Sequence, residues 1–300
     1  MAILKLALLG KELSHSLSPA LHEQLFRIFK NRYGLQYSDI QYDLVECEEE
    51  CDLAQWLKTA STNGYAGANI TYPFKARAFG LADKKIGVSS FIDSANCIRI
   101  YKDTIECAST DGAGLLFSIL RKNPAFDLGK YHLVLIGAGD AARAVAFSLC
   151  TKWMPLSLTV ASRDIARAEE LAEFCIAQAP GPAVHVMTIE DFLHAPREAR
   201  QRCIIHCTPV GQINRPGNLL RGFAWHETDF AIDLIYNPLQ SEFLKEASLG
   251  GAKTMNGLGM LIEQAALSQM FWLTGMLPEA SPLSAEEFAM IEDHLIHAAA

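Results

Sequence analysis

The chain has 300 residues, half of them apolar, with a formal net charge of −8 and 20% charged residues. Those figures describe an ordinary globular protein large enough for one big domain or two. The acidic balance argues against nucleic acid or an anionic membrane as the main partner, while leaving room for a locally basic pocket that takes an anionic substrate. The apolar start from Ala2 to Leu9 is too short to span a bilayer, is interrupted by Lys5, and precedes no small-residue cleavage site, so it reads as a buried strand. Eight cysteines without a compact framework read as reduced thiols in a cytoplasm.

In chain order, the first stretch alternates extended and helical segments. Ile3 to Leu9 is extended, Pro19 to Arg32 helical with Ser18 as N-cap, and Tyr37 to Val45 extended. Leu53 to Thr62 is helical and Ala66 to Ile70 extended, running into a helix started by Pro73. Asn96 to Tyr101 and Thr104 to Cys107, separated by Lys102 and Asp103, form a hairpin.

The middle has a more regular rhythm. His132 to Ile136 is a buried strand that enters Gly137-Ala138-Gly139, and a helix continues from Ala141 to Cys150. Strands follow at Leu158 to Ala161, Val184 to Thr188, Cys203 to Cys207 and Phe230 to Ile235, with a helix at Ile165 to Gln178. Alternating strands and helices indicate α/β architecture with a doubly wound parallel sheet of the Rossmann kind. The helices Leu258 to Thr274 and Ala285 to Ala298 belong to no βαβ unit and are expected to return to the first domain. The expected division is a discontinuous α/β substrate domain, 1–110 plus 256–300, and a cofactor domain, 111–255.

Gly137-Ala138-Gly139-Asp140-Ala141-Ala142 follows a strand and opens a helix, the setting a dinucleotide fingerprint requires. Its glycines permit a tight turn and close approach of backbone to pyrophosphate, and Ala142 permits close helix–strand packing. The next strand ends in Ser162-Arg163-Asp164, with Arg167 one turn on. Two guanidinium groups and a hydroxyl suit the 2′-phosphate of NADP. Asp164 favours NAD if it reaches the ribose; as the N-cap of the following helix it leaves NADP preferred.

Cys47/Cys51 and Cys203/Cys207 share a four-residue spacing, but neither pair has the further ligands zinc needs. They read as small buried hydrophobes, and no metal is expected. His206 alternates to the other side of its strand and reads as a strand-end residue rather than a base.

Several motifs occur together: Ser14-His15-Ser16-Leu17-Ser18-Pro19, Gly67-Ala68-Asn69-Ile70-Thr71-Tyr72-Pro73-Phe74-Lys75, Ala95-Asn96 and Thr110-Asp111-Gly112. After the glycine turn come Ser162 to Arg167, Asp233-Leu234-Ile235-Tyr236-Asn237-Pro238, Asn256-Gly257-Leu258-Gly259-Met260-Leu261 and Gln264. In this order the chain resembles the shikimate dehydrogenases from Leu8 to Gly275. The resemblance implies NADPH-dependent, reversible reduction of 3-dehydroshikimate to shikimate, in the route to aromatic amino acids. It makes Lys75 and Asp111 the catalytic pair and gives Ser16 and Ser18 to the substrate carboxylate. Asn69, Thr71, Asn96, Tyr236 and Gln264 then line the rest of the substrate site. The glycine turn, Ser162, Arg163, Arg167, Thr208, Leu234 and Gly257 fall to NADP.

These residue types suit the chemistry, since a carboxylate and three ring hydroxyls call for many oriented donors and acceptors. A lysine tuned by burial and a neighbouring carboxylate can exchange a proton at the reacting oxygen. Three positions depart from the family pattern: Cys97 for threonine, Ser109 for asparagine, and His206-Cys207 for asparagine–alanine. They leave open a quinate/shikimate dehydrogenase using NAD or both cofactors. A non-catalytic NADP-binding sensor is the alternative of another class, disfavoured by the retention of Lys75 and Asp111. The expected protein is a monomer or homodimer.

Overall fold

The computed structural model describes residues 2–178, 181–197 and 201–298. The chain divides into two compact units, Met1–Phe117 with Ile262–Ala300, and Ser118–Leu261. Both are α/β, and no helix among the described residues is long and apolar enough to cross a membrane.

The first unit contains β1 (Ala2–Gly10), α1 (Ser18–Tyr33), β2 (Tyr37–Glu46), α2 (Glu50–Ala60), β3 (Tyr65–Ile70) and α3 (Lys75–Leu81). These are followed by β4 (Lys84–Ile86), α4 (Ser89–Ile92), β5 (Cys97–Tyr101), β6 (Thr104–Ala108) and the start of α5 (Asp111–Lys122). The sheet order is β2-β1-β3-β5-β6-β4. β1 runs parallel to β2 and β3, whereas β5 is antiparallel to β3 and β6. β1 is covered on both faces, as an apolar central parallel strand must be. Its alternating side chains serve two cores: Leu4 and Leu6 join Phe26, Cys97, Phe271 and Trp272, while Ala7 and Leu9 join Leu53, Ile70, Phe74 and Ile98. Lys102 (φ 48) and Asp103 (φ 62) both adopt left-handed backbone. That is the two-residue turn whose twist matches the β5–β6 hairpin.

Three helix starts differ from the sequence expectation. Ser18 is already the first residue of α1 and Leu17 is the N-cap. The hydroxyl that serves this turn belongs to Ser16, whose Oγ accepts the Ser18 amide at 3.2 Å. α2 begins three residues early because Glu49 and Asp52 form a reciprocal capping box. Pro73 does not open α3; it follows a cis bond, and the helix starts at Lys75.

The second unit contains β7 (His132–Ile136), α6 (Asp140–Lys152), β8 (Ser157–Ser162), α7 (Ile165–Gln178), β9 (Ala183–Thr188) and α8 (Ile189–His194). Next come β10 (Arg202–His206), β11 (Phe230–Asp233), α9 (Glu242–Leu249), β12 (Lys253–Met255) and the start of α10 (Leu258–Thr274). α11 (Ala285–Ala298) completes the first unit. The second sheet runs β12-β11-β10-β7-β8-β9, all parallel, the doubly wound dinucleotide-binding order. The strand order turns back between β7 and β10, and ligands of such sheets bind at the carboxyl ends of the strands there.

Candidate active site

In the first unit, three strands end and one begins at the same place. β1 ends at Gly10, β3 at Ile70 and β6 at Ala108, and β5 starts at Cys97 opposite Asn69. The loop after β3 is pinned by Thr71 N donating to Leu9 O (2.9 Å) and Lys11 N donating to Tyr72 O (3.2 Å). A side chain at Gly10 would overlap the Thr71 methyl, so glycine allows the two loops to lie together.

Lys75, at the N-terminus of α3, donates from Nζ to Asp111 Oδ2 at 2.5 Å. Asp111 opens α5, where a carboxylate is favoured by the exposed amides of a helix start. Both side chains are largely buried, with 16% and 10% exposed. The pair is therefore accessible to a ligand yet shielded enough for its charges to matter.

Asn96 organises the surroundings. Its Nδ2 faces Thr110 Oγ1 (2.8 Å), Asp111 Oδ1 (2.9 Å) and Gln264 Oε1 (3.2 Å), while its Oδ1 accepts the Thr110 amide at 2.7 Å. Asn69 donates to Asn96 O (3.2 Å) and Ser268 Oγ (3.0 Å), and accepts from the Tyr42 hydroxyl at 2.9 Å. Lys75, Asp111, Asn96, Gln264 and Asn69 thus belong to one hydrogen-bonded system. Ser16 lies just before α1 and Ser18 is its first residue, and Ser16 Oγ accepts the Ser18 amide. Tyr236 lies beyond β11 in the second unit.

Tyr42, Thr110 and Ser268 are part of this system, and His22 packs against it through Tyr42, although the sequence did not single them out as site residues. Ser268 sits one helical turn after Gln264 on α10, a spacing that places both on one face and was readable. His22 was not readable. Its ring is fully buried, stacked on Tyr42 (4.4 Å between centroids, 14° between planes) and tilted against Trp272. Burial pushes its pKa down to about 3, outweighing the nearby Asn69. The imidazole is therefore neutral, and neither ring nitrogen has a hydrogen bond of good geometry.

In the second unit, β7 leads into Gly137 (φ +105), where a Cβ would lie 2.7 Å from the Thr208 methyl. Gly139 is the N-cap of α6, makes no side-chain cap and has open space where a Cβ would stand. Ala142 is fully buried against the sheet. Asp140 and Ala141 form the first turn of the helix, so its amides face outward from a glycine turn free of side chains. Ser162 Oγ accepts the Asp164 amide (3.1 Å), and Asp164 Oδ1 accepts the Arg167 amide (3.2 Å). Asp164 therefore serves as a helix cap, and its other oxygen lies 3.5 Å from Arg167 Nε. Arg163 and Arg167 are exposed beside it. Gly257 passes so close to Leu234 that a Cβ would fall 2.1 Å from its carbonyl oxygen. A phosphate-bearing dinucleotide fits this set: an open glycine turn, a helix N-terminus and two exposed guanidinium groups.

Residues 8–98 match the family described as the shikimate dehydrogenase substrate binding domain. A shikimate dehydrogenase (NADP(+)) of Methanopyrus kandleri is 33% identical over 288 residues, covering 95% of this chain and 94% of the relative. The chain belongs to the shikimate dehydrogenase family. The enzyme of the same name from Cereibacter sphaeroides is 32% identical over 90% of this chain and 91% of its own. Among solved structures, a shikimate dehydrogenase in complex with NADP+ superposes with a TM-score of 0.81 at 28% identity, covering 99% and 98% of the two chains. A quinate dehydrogenase from Corynebacterium glutamicum in complex with NAD shares the fold, with a TM-score of 0.78 at 23% identity over 99% of this chain and all of its own.

Set against that family, the three departures fall in different places. Cys97 is fully buried in the apolar cluster with Phe271 and Trp272, and burial pushes its thiol far up, so it stays protonated. Ser109 is buried at the end of β6, next to Thr110 in sequence. His206 is buried at the end of β10, bonded to Asp233 rather than aligned with Cys203 and Cys207. All eight cysteines are free thiols, and no group of metal-ligating side chains occurs among the described residues.

Proposed function

We propose that this chain catalyses the reversible, NADPH-dependent reduction of 3-dehydroshikimate to shikimate. The observation that carries the reading is the Lys75–Asp111 contact at 2.5 Å, set in a hydrogen-bonding network suited to a polyol. A nicotinamide held by the second unit would supply the hydride for the carbonyl carbon. Lys75, oriented by Asp111, donates a proton from Nζ to the carbonyl oxygen as that oxygen gains charge, leaving an alcohol and a neutral amine. In the oxidative direction the neutral amine accepts the hydroxyl proton. Asp111 orients Lys75 and, through its other oxygen, is itself oriented by Asn96. Asn96, Asn69, Thr71, Gln264 and Tyr236 read ring hydroxyls, and Ser16 and Ser18 donate to the substrate carboxylate.

The glycine turn of residues 137–141, with Thr208, Leu234 and Gly257, holds the dinucleotide, and Ser162, Arg163 and Arg167 hold its 2′-phosphate. The capping role of Asp164 supports NADP over NAD, because a carboxylate engaged by helix amides is not directed at a ribose. The first unit is then the substrate domain and the second the cofactor domain. A cytoplasmic setting, where thiols stay reduced, suits the eight free cysteines.

The deciding experiment assays shikimate and quinate with NADP and with NAD. Turnover of shikimate with NADP, at kcat/KM at least tenfold above either substitution, is expected. Equal use of quinate or NAD moves the protein to the quinate/shikimate dehydrogenases, and cofactor binding without turnover of any polyol acid makes it a sensor.

A further inference from the structure

Beside Thr208 the second unit holds a buried polar cluster, His206, Asp233 and Ser241, that the mechanism above does not use. At the end of β10, His206 is 2% exposed, and its ring stacks on Phe243 at 5.3 Å. Its Nδ1 lies 3.0 Å from Asp233 Oδ1 and its Nε2 2.7 Å from Thr208 Oγ1. Asp233 is fully buried, and also accepts the Ile235 amide and the Ser241 hydroxyl. Ser241 is in turn fixed as the N-cap of α9. A carboxylate only accepts, so Nδ1 donates to Asp233, and in the tautomer protonated at Nδ1 alone Nε2 is an acceptor. In that tautomer the Thr208 hydroxyl donates to His206. One of its two lone pairs takes the Val210 amide at 3.2 Å, which leaves the other for a ligand. The same side chain presses its methyl group against Gly137, at the first glycine of the dinucleotide turn.

We infer that His206 is a positioning residue for the cofactor, holding the Thr208 hydroxyl in one rotamer as an acceptor for a donor group of the dinucleotide. The chain Asp233–His206–Thr208 transmits orientation from the buried cap of α9 to the glycine turn. Thr208 alone has a freely rotating hydroxyl that must lose its freedom when ligand binds; His206 removes that freedom beforehand. The inference rests on the dinucleotide reading of the turn and adds to it a residue that makes no direct contact with ligand.

The test is a double-mutant cycle on NADPH affinity, read from the fluorescence of the dinucleotide on binding, without turnover. His206→Phe keeps the stacking on Phe243 and removes the acceptor; Thr208→Val keeps the methyl against Gly137 and removes the hydroxyl. Each is expected to weaken NADPH by roughly 3- to 10-fold, the worth of one ordinary hydrogen bond. The double variant is expected to be no weaker than Thr208→Val alone. His206→Gln, whose side-chain oxygen falls near the position of Nε2, is expected to recover most of the loss, an outcome that mere packing at this position would not give. Additive losses, or normal affinity in Thr208→Val, overturn the inference while leaving the proposed function intact. That second result stands even if His206→Phe fails to fold. A wild-type chain that does not bind NADPH overturns both.

Discussion

Replacing His22 with phenylalanine tests how the floor of the candidate site is held together. The folded pKa of about 3 lies below the ordinary 6.5, so the unfolded chain binds a proton that the folded chain refuses. Stability should therefore be unaffected by this group above about pH 6.5 and decline as pH falls below it, until the folded value is reached. Each pH unit in that window costs about 1.4 kcal/mol, so wild type should lose about 2 kcal/mol at about pH 5 relative to neutral pH from this residue alone. Phenylalanine keeps an aromatic ring between Tyr42 and Trp272 and has no proton to accept. Thermal melts of both proteins at about pH 7.5 and pH 5 isolate the term, since the other titrating groups are common to both. The variant should gain roughly 4 to 8 °C on wild type at the lower pH, compared with the offset at the higher one. An offset that stays constant between the two conditions would show that the imidazole is not desolvated as described.

Four shorter tests follow from other parts of the molecule. Lys75→Ala is expected to lose at least 10²-fold in kcat, about 2.7 kcal/mol of barrier, with KM little changed; near-normal kcat takes the lysine out of the chemistry. The preference for NADP over NAD, measured as a ratio of kcat/KM, should fall steeply in Arg163→Ala, and an unchanged ratio refutes the phosphate assignment. Gly67→Ala should destabilise the first unit by roughly 1 to 3 kcal/mol in denaturant melts, because its Cβ would stand 2.4 Å from Trp272 Cδ1 and 2.5 Å from the Ile98 carbonyl oxygen. Burial alone would raise the Asp229 carboxyl, but Arg202 and Arg197 hold it below its ordinary 3.8. Asp229→Asn should therefore cost about 3 kcal/mol at neutral pH, with the gap to wild type closing as acid titrates the depressed carboxyl below about pH 4.

The second unit was readable because its strands are continuous apolar runs separated by helices, and in the first unit the two residues between β5 and β6 announce a turn. The short elements were not. β4 and β12 have three residues each, too few for a period, and exist only because β6 and β11 offer them an edge. The start of α1 is not legible because two serines compete for one turn, and local propensity cannot decide whether Ser16 or Ser18 turns toward the amides. In the site, the pairing of Lys75 with Asp111 spans 36 positions, so no local spacing could reveal it; only the motif resemblance did. Tyr42 and His22 were invisible for a different reason. A tyrosine on an edge-side strand and a histidine on an amphipathic helix are ordinary residues until the sheet brings them under Asn69.

Asn96 offers two hydrogens to three oxygens, and the hydroxyls of Thr110 and Ser268 within the same network can turn either way. Several proton arrangements thus share one set of heavy-atom positions. An alcohol both gives and takes a hydrogen, whereas the ketone made from it can only take one. A network of such reversible rotors behind the proposed substrate residues can adjust its protons to either redox form without shifting its frame, which is what a reaction run in both directions demands.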